Sequence, residues 1–375
     1  MTTKPTSNRT LNPERSHRRM ILINRNAVVA YALIASAVTL PAQQQVQVPA
    51  AITLAALPDA KLRSMIIVPE KKHSDADYAT NMLQAMYDKA KAKSPSLTTR
   101  AFVLAFHDKA VAGDVDAGYY YGAARMAAFG IGQGPDKEIE GYIGAAAKAG
   151  KLEAIRDYAV LTFLGVGVKD DPAAAYALAK KAADGGLPSG MSLAAEFLQA
   201  GAGVTQSLLD AALLFKKAAV AGDPIAAYNM GEILSETDTV VSMKYMRDAA
   251  TAGDDRGLLE YGMGLVYGRG VAKDEAEGMK LVQMAAQIGN PRAQRLMGLI
   301  YLNGSHGVKQ DDTAGRLYME AAAINGNSEA QIDFGLWNMD GDLGLTKDHD
   351  VGFQWVMKAA KQKNPRAAEE LRKRM

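Results

Sequence analysis

Cysteine is absent from the 375 residues, so neither a disulfide nor a thiolate-ligated metal can hold this chain together. Aromatic residues are also scarce, 7% of the chain against 48% hydrophobic residues overall. The apolar content is therefore mostly alanine and aliphatic side chains, which suits closely packed helices better than a β-sandwich. A basic excess is lacking once charge is located. The formal net charge is +2, but residues 1–42 hold Lys4, Arg9, Arg15, Arg18, Arg19 and Arg25 against Glu14 alone. Beyond them stand 37 basic and 40 acidic residues, a balance that argues against a nucleic-acid partner.

The basic start leads into AVVAYALIASAVTLPA, residues Ala27–Ala42, and then a polar run of glutamines. A basic flank, a short apolar core and a small-residue exit predict a secretory signal peptide over residues 1–42, cleaved after Ala42 or, alternatively, Ala37. The apolar core is short for a membrane span, so an uncleaved inner-membrane anchor is the second reading. Met20 is an alternative start, and RRMIL (Arg18–Leu22) loosely resembles a twin-arginine export signal. Residues 43–70, with Pro41, Pro49, Pro58 and Pro69 in and beside them, read as a linker or poorly ordered mature N-terminus. The predicted destination is the periplasm or the exterior.

From there the chain repeats. Gly113, Gly150, Gly186, Gly222, Gly253, Gly289 and Gly326 are separated by 37, 36, 36, 31, 36 and 37 residues. Alanine pairs stand three and four residues before the last six, from Ala146–Ala147 to Ala322–Ala323; Ala359–Ala360 continues the series, with Lys363 in place of the glycine. Four and nine residues after each glycine the side chain is small, as at Ala154 and Ala159 or Gly257 and Gly262. Eight residues before the closing position it is large: Tyr142, Leu178, Leu214, Tyr245, Leu281, Tyr318, Trp355. Small residues let helices approach and large ones fill the facing groove. Each unit thus reads as a helix, a glycine-bearing loop, a second helix ending in AAxxG, and a sharp turn.

These spaced residues, with MGLVYGRGVAKDEAEGMKLVQMAAQIG (Met263–Gly289) as a close match, resemble the Sel1-like repeat, a tetratricopeptide-related family. The resemblance implies an all-α, right-handed α-solenoid of stacked helix-turn-helix units. Seven repeats are expected over residues 114–363, a degenerate N-terminal helix pair over 71–113, and a capping helix over 364–375. The fourth unit is short and carries SETDTV (Ser235–Val240) where its neighbours have the glycine loop, through surface drift, changed curvature or a partner contact.

Signs of chemistry are few. FGIGQGPDKE (Phe129–Glu138) lacks the ordered glycine-lysine-serine of a phosphate loop, and LGVGVKDDP (Leu164–Pro172) recurs in other units as a repeat turn should. The five histidines stand singly, with no metal-ligand spacing, and His306 is expected on a solvent-exposed loop. Asp340, Asp342, Asp348 and Asp350 depart from the calcium-loop pattern. No nucleophile elbow is present. Neither a cofactor, a metal nor a catalytic residue is expected.

What remains is binding. The first helices should line the concave face, presenting Tyr120, Arg125, Arg156, Asp157, Glu196, Asn229, Glu232, Glu260, Arg292, Arg295, Asp333 and Trp337 to a protein or peptide. Trp337 could instead pack on the final cap, while Trp355 belongs to the core. The resemblance implies a non-enzymatic adaptor in envelope signalling, complex assembly or host contact, expected to be a monomer. The alternatives are a cell-wall or β-lactam-directed activity, against which the missing cysteines count, and a structural part of a secretion apparatus.

Overall fold

A computed structural model describes residues 75–127 and 135–374. The expected signal peptide, the linker, the first residues of the N-terminal pair and the centre of the first glycine loop lie outside the described residues. The described residues fall into two compact units, 75–221 and 222–374. Every regular element in both is helical.

The first unit contains α1 (Asp75–Lys93), α2 (Thr99–Val111), α3 (Val115–Met126), α4 (Asp136–Lys148), α5 (Leu152–Leu164), α6 (Pro172–Asp184), α7 (Pro188–Ala200) and α8 (Leu208–Val220). The second contains α9 (Pro224–Leu234), α10 (Thr239–Thr251), α11 (Asp255–Tyr267), α12 (Glu275–Gln287), α13 (Pro291–Asn303), α14 (Asp312–Ile324), α15 (Ser328–Asp340), α16 (His349–Lys361) and α17 (Pro365–Arg374). Within each unit every helix packs on the next, as the repeat predicts.

Local chemistry sets the ends of each helix. Asp171, Ser207, Asp238, Asp274, Asp311 and Asp348 cap the second helices by accepting backbone N–H bonds from the first turn. At the other end the AAxxG signature forms a Schellman closure. The Gly150 N–H donates to the Ala147 carbonyl at 3.1 Å and the Lys151 N–H to that of Ala146, also at 3.1 Å. All seven closing glycines adopt φ between +85° and +103°. Lys363 takes the same place at φ +61°, so the geometry outlasts the glycine that normally permits it.

The alanines serve packing as well. Ala182 and Ala249 are fully buried beneath Gly190 and Gly257 of the following first helix, where an added Cβ would meet their side chains at 2.7 and 2.6 Å. The small position later in the helix does the same for the helix that follows. Gly335 faces the Gly352 carbonyl, with Val356 and Trp355 beside it.

The glycine loop has a second function that its turn-like sequence does not reveal. In "GxG" the second glycine lies against the start of the second helix one repeat earlier: Gly167 on Asp136, Gly203 on Pro172 and Gly270 on Thr239. The loop is therefore a contact between successive repeats as well as a reversal. His306, expected in solvent, makes the equivalent contact through its side chain. It is half-buried, with Nδ1 2.9 Å from Oε1 of Glu275 at the start of α12.

The short fourth repeat loses this loop but keeps its helix pair. α9 ends at Leu234, Asp238 caps α10, and buried Ser242 donates to the Gly231 carbonyl at 2.7 Å.

Candidate functional site

The first helices of residues 222–374 are α9, α11, α13, α15 and α17. Counting from each closing position, the third residue is Arg256, Arg292, Glu329 or Arg366, and the sixth or seventh is Tyr228, Asn229, Glu260, Arg295 or Asp333. Helical geometry places these positions on one side of the helix, and the solenoid sets the sides in a row.

Neighbouring first helices are joined along this row. Arg256 of α11 lies 4.1 Å over the Tyr228 ring of α9 and holds the Asp254 carboxylate at 2.8 Å. Arg292 of α13 pairs with Glu260 of α11 at 2.8 Å, and the Asn290 amide reaches Asp255 at 3.1 Å. Arg295 lies 3.9 Å from Asp333 of α15. Arg366 of α17 grips Asp333 at 2.6 Å and Glu329 at 2.9 Å, while Asn364 donates to Glu329 at 2.7 Å. Most of these charges are only partly buried. Arg292, with 65% of its side chain exposed, is the most accessible of the row's arginines.

The electrostatics follow this pairing. Burial pushes Glu232 above the usual carboxylate range, and the Glu260 carboxylate adds to the effect, against Arg292 and Arg256. Burial also raises the Tyr228 phenol. Arg256 is raised because Asp254 outweighs the opposing burial. The Asn364 hydrogen bond and then Arg366 hold Glu329 below its ordinary value, although burial opposes them.

A lowered carboxylate stabilises the folded form above its unfolded value and loses that contribution as pH falls through the folded value. Docking of α17 should therefore weaken as pH drops below about 4.5, the ordinary glutamate value, before the rest of this unit opens. Amide hydrogen exchange in α17 measured from pH 6 to pH 3 checks this, and in Glu329→Gln the acid-dependent part should disappear.

The structure gathers Asn229, Glu232, Glu260, Arg292, Arg295 and Asp333 on this row. Asn229 is half-buried and donates to the Ile225 carbonyl of its own helix at 2.9 Å. Trp337 sits at the edge of a cluster with Phe334, Leu345 and Trp355, and is half-buried there. Trp355 is half-buried, edge-on to Phe334 at 5.8 Å, with the Lys358 ammonium 3.7 Å over its ring.

In residues 75–221 two expectations change. Arg156 and Asp157, expected to face a partner, are 3% and 0% exposed and form an ion pair at 3.0 Å. Tyr119, also buried, donates to Asp157 at 2.9 Å. The turn of α5 that carries them points into the packing against α3, so neither can touch a ligand. Arg125 pairs with Glu138 of α4 at 3.3 Å, a contact inside its own repeat. Tyr120 is half-buried against Phe106, with the Lys151 ammonium 5.3 Å over its ring. Glu196 is exposed on α7.

Tyr228, Arg256, Glu329 and Arg366 are the row members that sequence reasoning missed. Three of them share the register of Arg292 and could have been found by counting from the closing position. A second feature lies deeper. Asn325 and Gln362 each precede a closing position and donate to Gln294 and Gln331 of their own repeat, both at 2.9 Å, and those glutamines donate to the Ala286 and Ala323 carbonyls of the repeat before at 3.1 and 3.0 Å. These amides couple successive repeats and are not part of the row. The acidic loop also has structural partners: Asp340 binds Arg374 through two bonds of 2.9 Å, and Asp348 caps α16.

Successive helix pairs, each closed by a left-handed residue and joined through its first helices, define an α-solenoid repeat protein. Segments 152–187, 188–223, 257–290, 291–327 and 328–364 match the Sel1 repeat, and the chain belongs to the Sel1-repeat proteins. The short unit containing α9 and α10 falls between the second and third of these segments. A Sel1 repeat protein from Oxalobacter formigenes is similar over 66% of this chain and all of its own, at 28% identity and a TM-score of 0.55. A protective antigen of uropathogenic Escherichia coli strains with the same repeat fold is 23% identical over 83% of this chain and 66% of its own, with a TM-score of 0.45. Curated protein sequences yield no match. Sel1-repeat proteins generally mediate protein–protein interaction and are typically non-catalytic scaffolds.

Proposed function

We propose that this chain is an exported, non-enzymatic adaptor of the bacterial envelope that binds a protein or peptide partner along the first-helix row of residues 222–374. The supporting observation is the row itself: charges of both signs cross four successive first helices, α11, α13, α15 and α17, partly exposed and held in place by their mutual bonds. Pre-paired side chains lose little entropy when a partner docks, and alternating signs favour one register over others. The proposed location rests on the apolar segment and basic flank of residues 1–42.

Tagged full-length protein, recovered from fractionated native cells, tests both parts. It should appear in the periplasmic fraction and retain a specific partner there. Arg292→Glu with Asn229→Arg should lower partner recovery at least tenfold while the helical circular-dichroism signal persists. Equal recovery by wild type and variant would reject the row, and retention of the tag in the cytoplasm would reject export.

A further inference from the structure

The cations and anions of the row are matched at nearly every step. Asp254 has Arg256, Glu260 has Arg292, Asp333 has Arg295 and Arg366, and Glu329 has Arg366. Glu232 differs from all of these. It is half-buried on α9, one turn beyond Tyr228, and it forms no ion pair among the described residues.

The two arginines that could serve it are held elsewhere. Arg256 is committed to Asp254 by bonds of 2.8 and 3.4 Å and lies flat on the Tyr228 ring. Arg292 closes on Glu260 at 2.8 Å. Of the charged residues on α10, which packs on α9, Lys244 is exposed and Arg247 faces Asp248 at 4.0 Å. Glu232 thus stands next to a second carboxylate and lacks the cation that each of its counterparts has.

We propose that Glu232, flanked by Tyr228 and Glu260, receives a basic side chain, an arginine or lysine, from the partner segment that docks on the row. This rests on the row being the binding face and specifies the partner's chemistry at one point along it. The entering cation completes the alternation of sign, and a partly desolvated carboxylate gains more from it than an exposed one. Discrimination follows from the same geometry. A neutral side chain leaves Glu232 beside Glu260 uncompensated, and an acidic one adds a third negative charge.

The test uses the full chain and fluorescently labelled, end-blocked pentapeptides with arginine, citrulline or glutamate between alanines, followed by anisotropy. Citrulline keeps the shape of arginine and removes its charge. The arginine peptide should bind wild type, with at least tenfold weaker binding to Glu232→Gln. Glu236→Gln, which removes an exposed charge from the neighbouring turn, should leave binding unchanged within twofold. Equal losses in the two variants would show diffuse attraction only and overturn the proposal. Failure of the arginine peptide to bind, equal binding of the citrulline peptide, or preference for the glutamate peptide would also overturn it. None of these results touches the row as the binding face, because partner capture with the Arg292→Glu, Asn229→Arg variant decides that separately.

Discussion

Arg156→Met is expected to destabilise residues 75–221 by about 3–5 kcal/mol, the range for removing one member of a buried ion pair. Asp157 is fully buried, and its Oδ1 lies 3.0 Å from the Arg156 guanidinium. Taking away the guanidinium removes this ion pair from a carboxylate at a site closed to water. The Tyr119 hydroxyl, 2.9 Å from Oδ2, supplies a dipole but no charge. The cost should be concentrated in α3 to α6, where hydrogen exchange would quicken first, and urea unfolding would shift to lower concentration. The double variant Arg156→Met, Asp157→Leu should recover at least half of the loss, since replacing both charges with apolar groups of similar size is often neutral. A single variant as stable as wild type, or a double variant worse than the single, would show that the pair does not hold this unit together.

Gly203→Ala should cost about 3 kcal/mol, combining left-handed strain with displacement of backbone. Gly201→Ala, two residues away, should cost only about 1 kcal/mol, the strain of a left-handed non-glycine residue. The two glycines have almost the same conformation, φ +71° and +66°. They differ in what lies opposite. A methyl on Gly203 would overlap the Pro172 carbonyl at the start of α6, which can yield only by moving the helix. A methyl on Gly201 would sit 3.2 Å from the Gln206 Cβ, a contact that a shift of a few tenths of an ångström relieves. Paired denaturation curves test the difference, and equal costs would mean that the loop does not press on the earlier repeat.

Periodicity displayed the repeats in the sequence because packing between similar helices needs the same few properties at each turn. Small residues stand where helices cross, as at Gly190 and Gly257, and alanine–glycine endings stand where helices close. The candidate site was only half legible. Glu260 and Arg292 were found as non-repeating polar residues on first helices, and that criterion carried Arg156 and Asp157 along with them. Their burial depends on which direction one helical turn faces, and the adjacent pair can neutralise itself where an isolated charge could not. Arg256 and Glu329 stand at the same register as Arg292, and they join the row through the neighbours they meet, Tyr228 and Arg366.

By itself the sequence determined the helix pairs, their left-handed closures and their order, because these arise from contacts within about 40 residues that recur in every unit. Tertiary structure alone decided which charges meet. Arg366 grips Glu329 and Asp333 from one repeat later, Arg292 reaches back to Glu260, and His306 reaches Glu275. An ion pair depends on side-chain direction and on what has already been paired, and neither is written in the spacing of residues. The unpaired state of Glu232 is of the same kind. It became visible only once every nearby cation had been assigned.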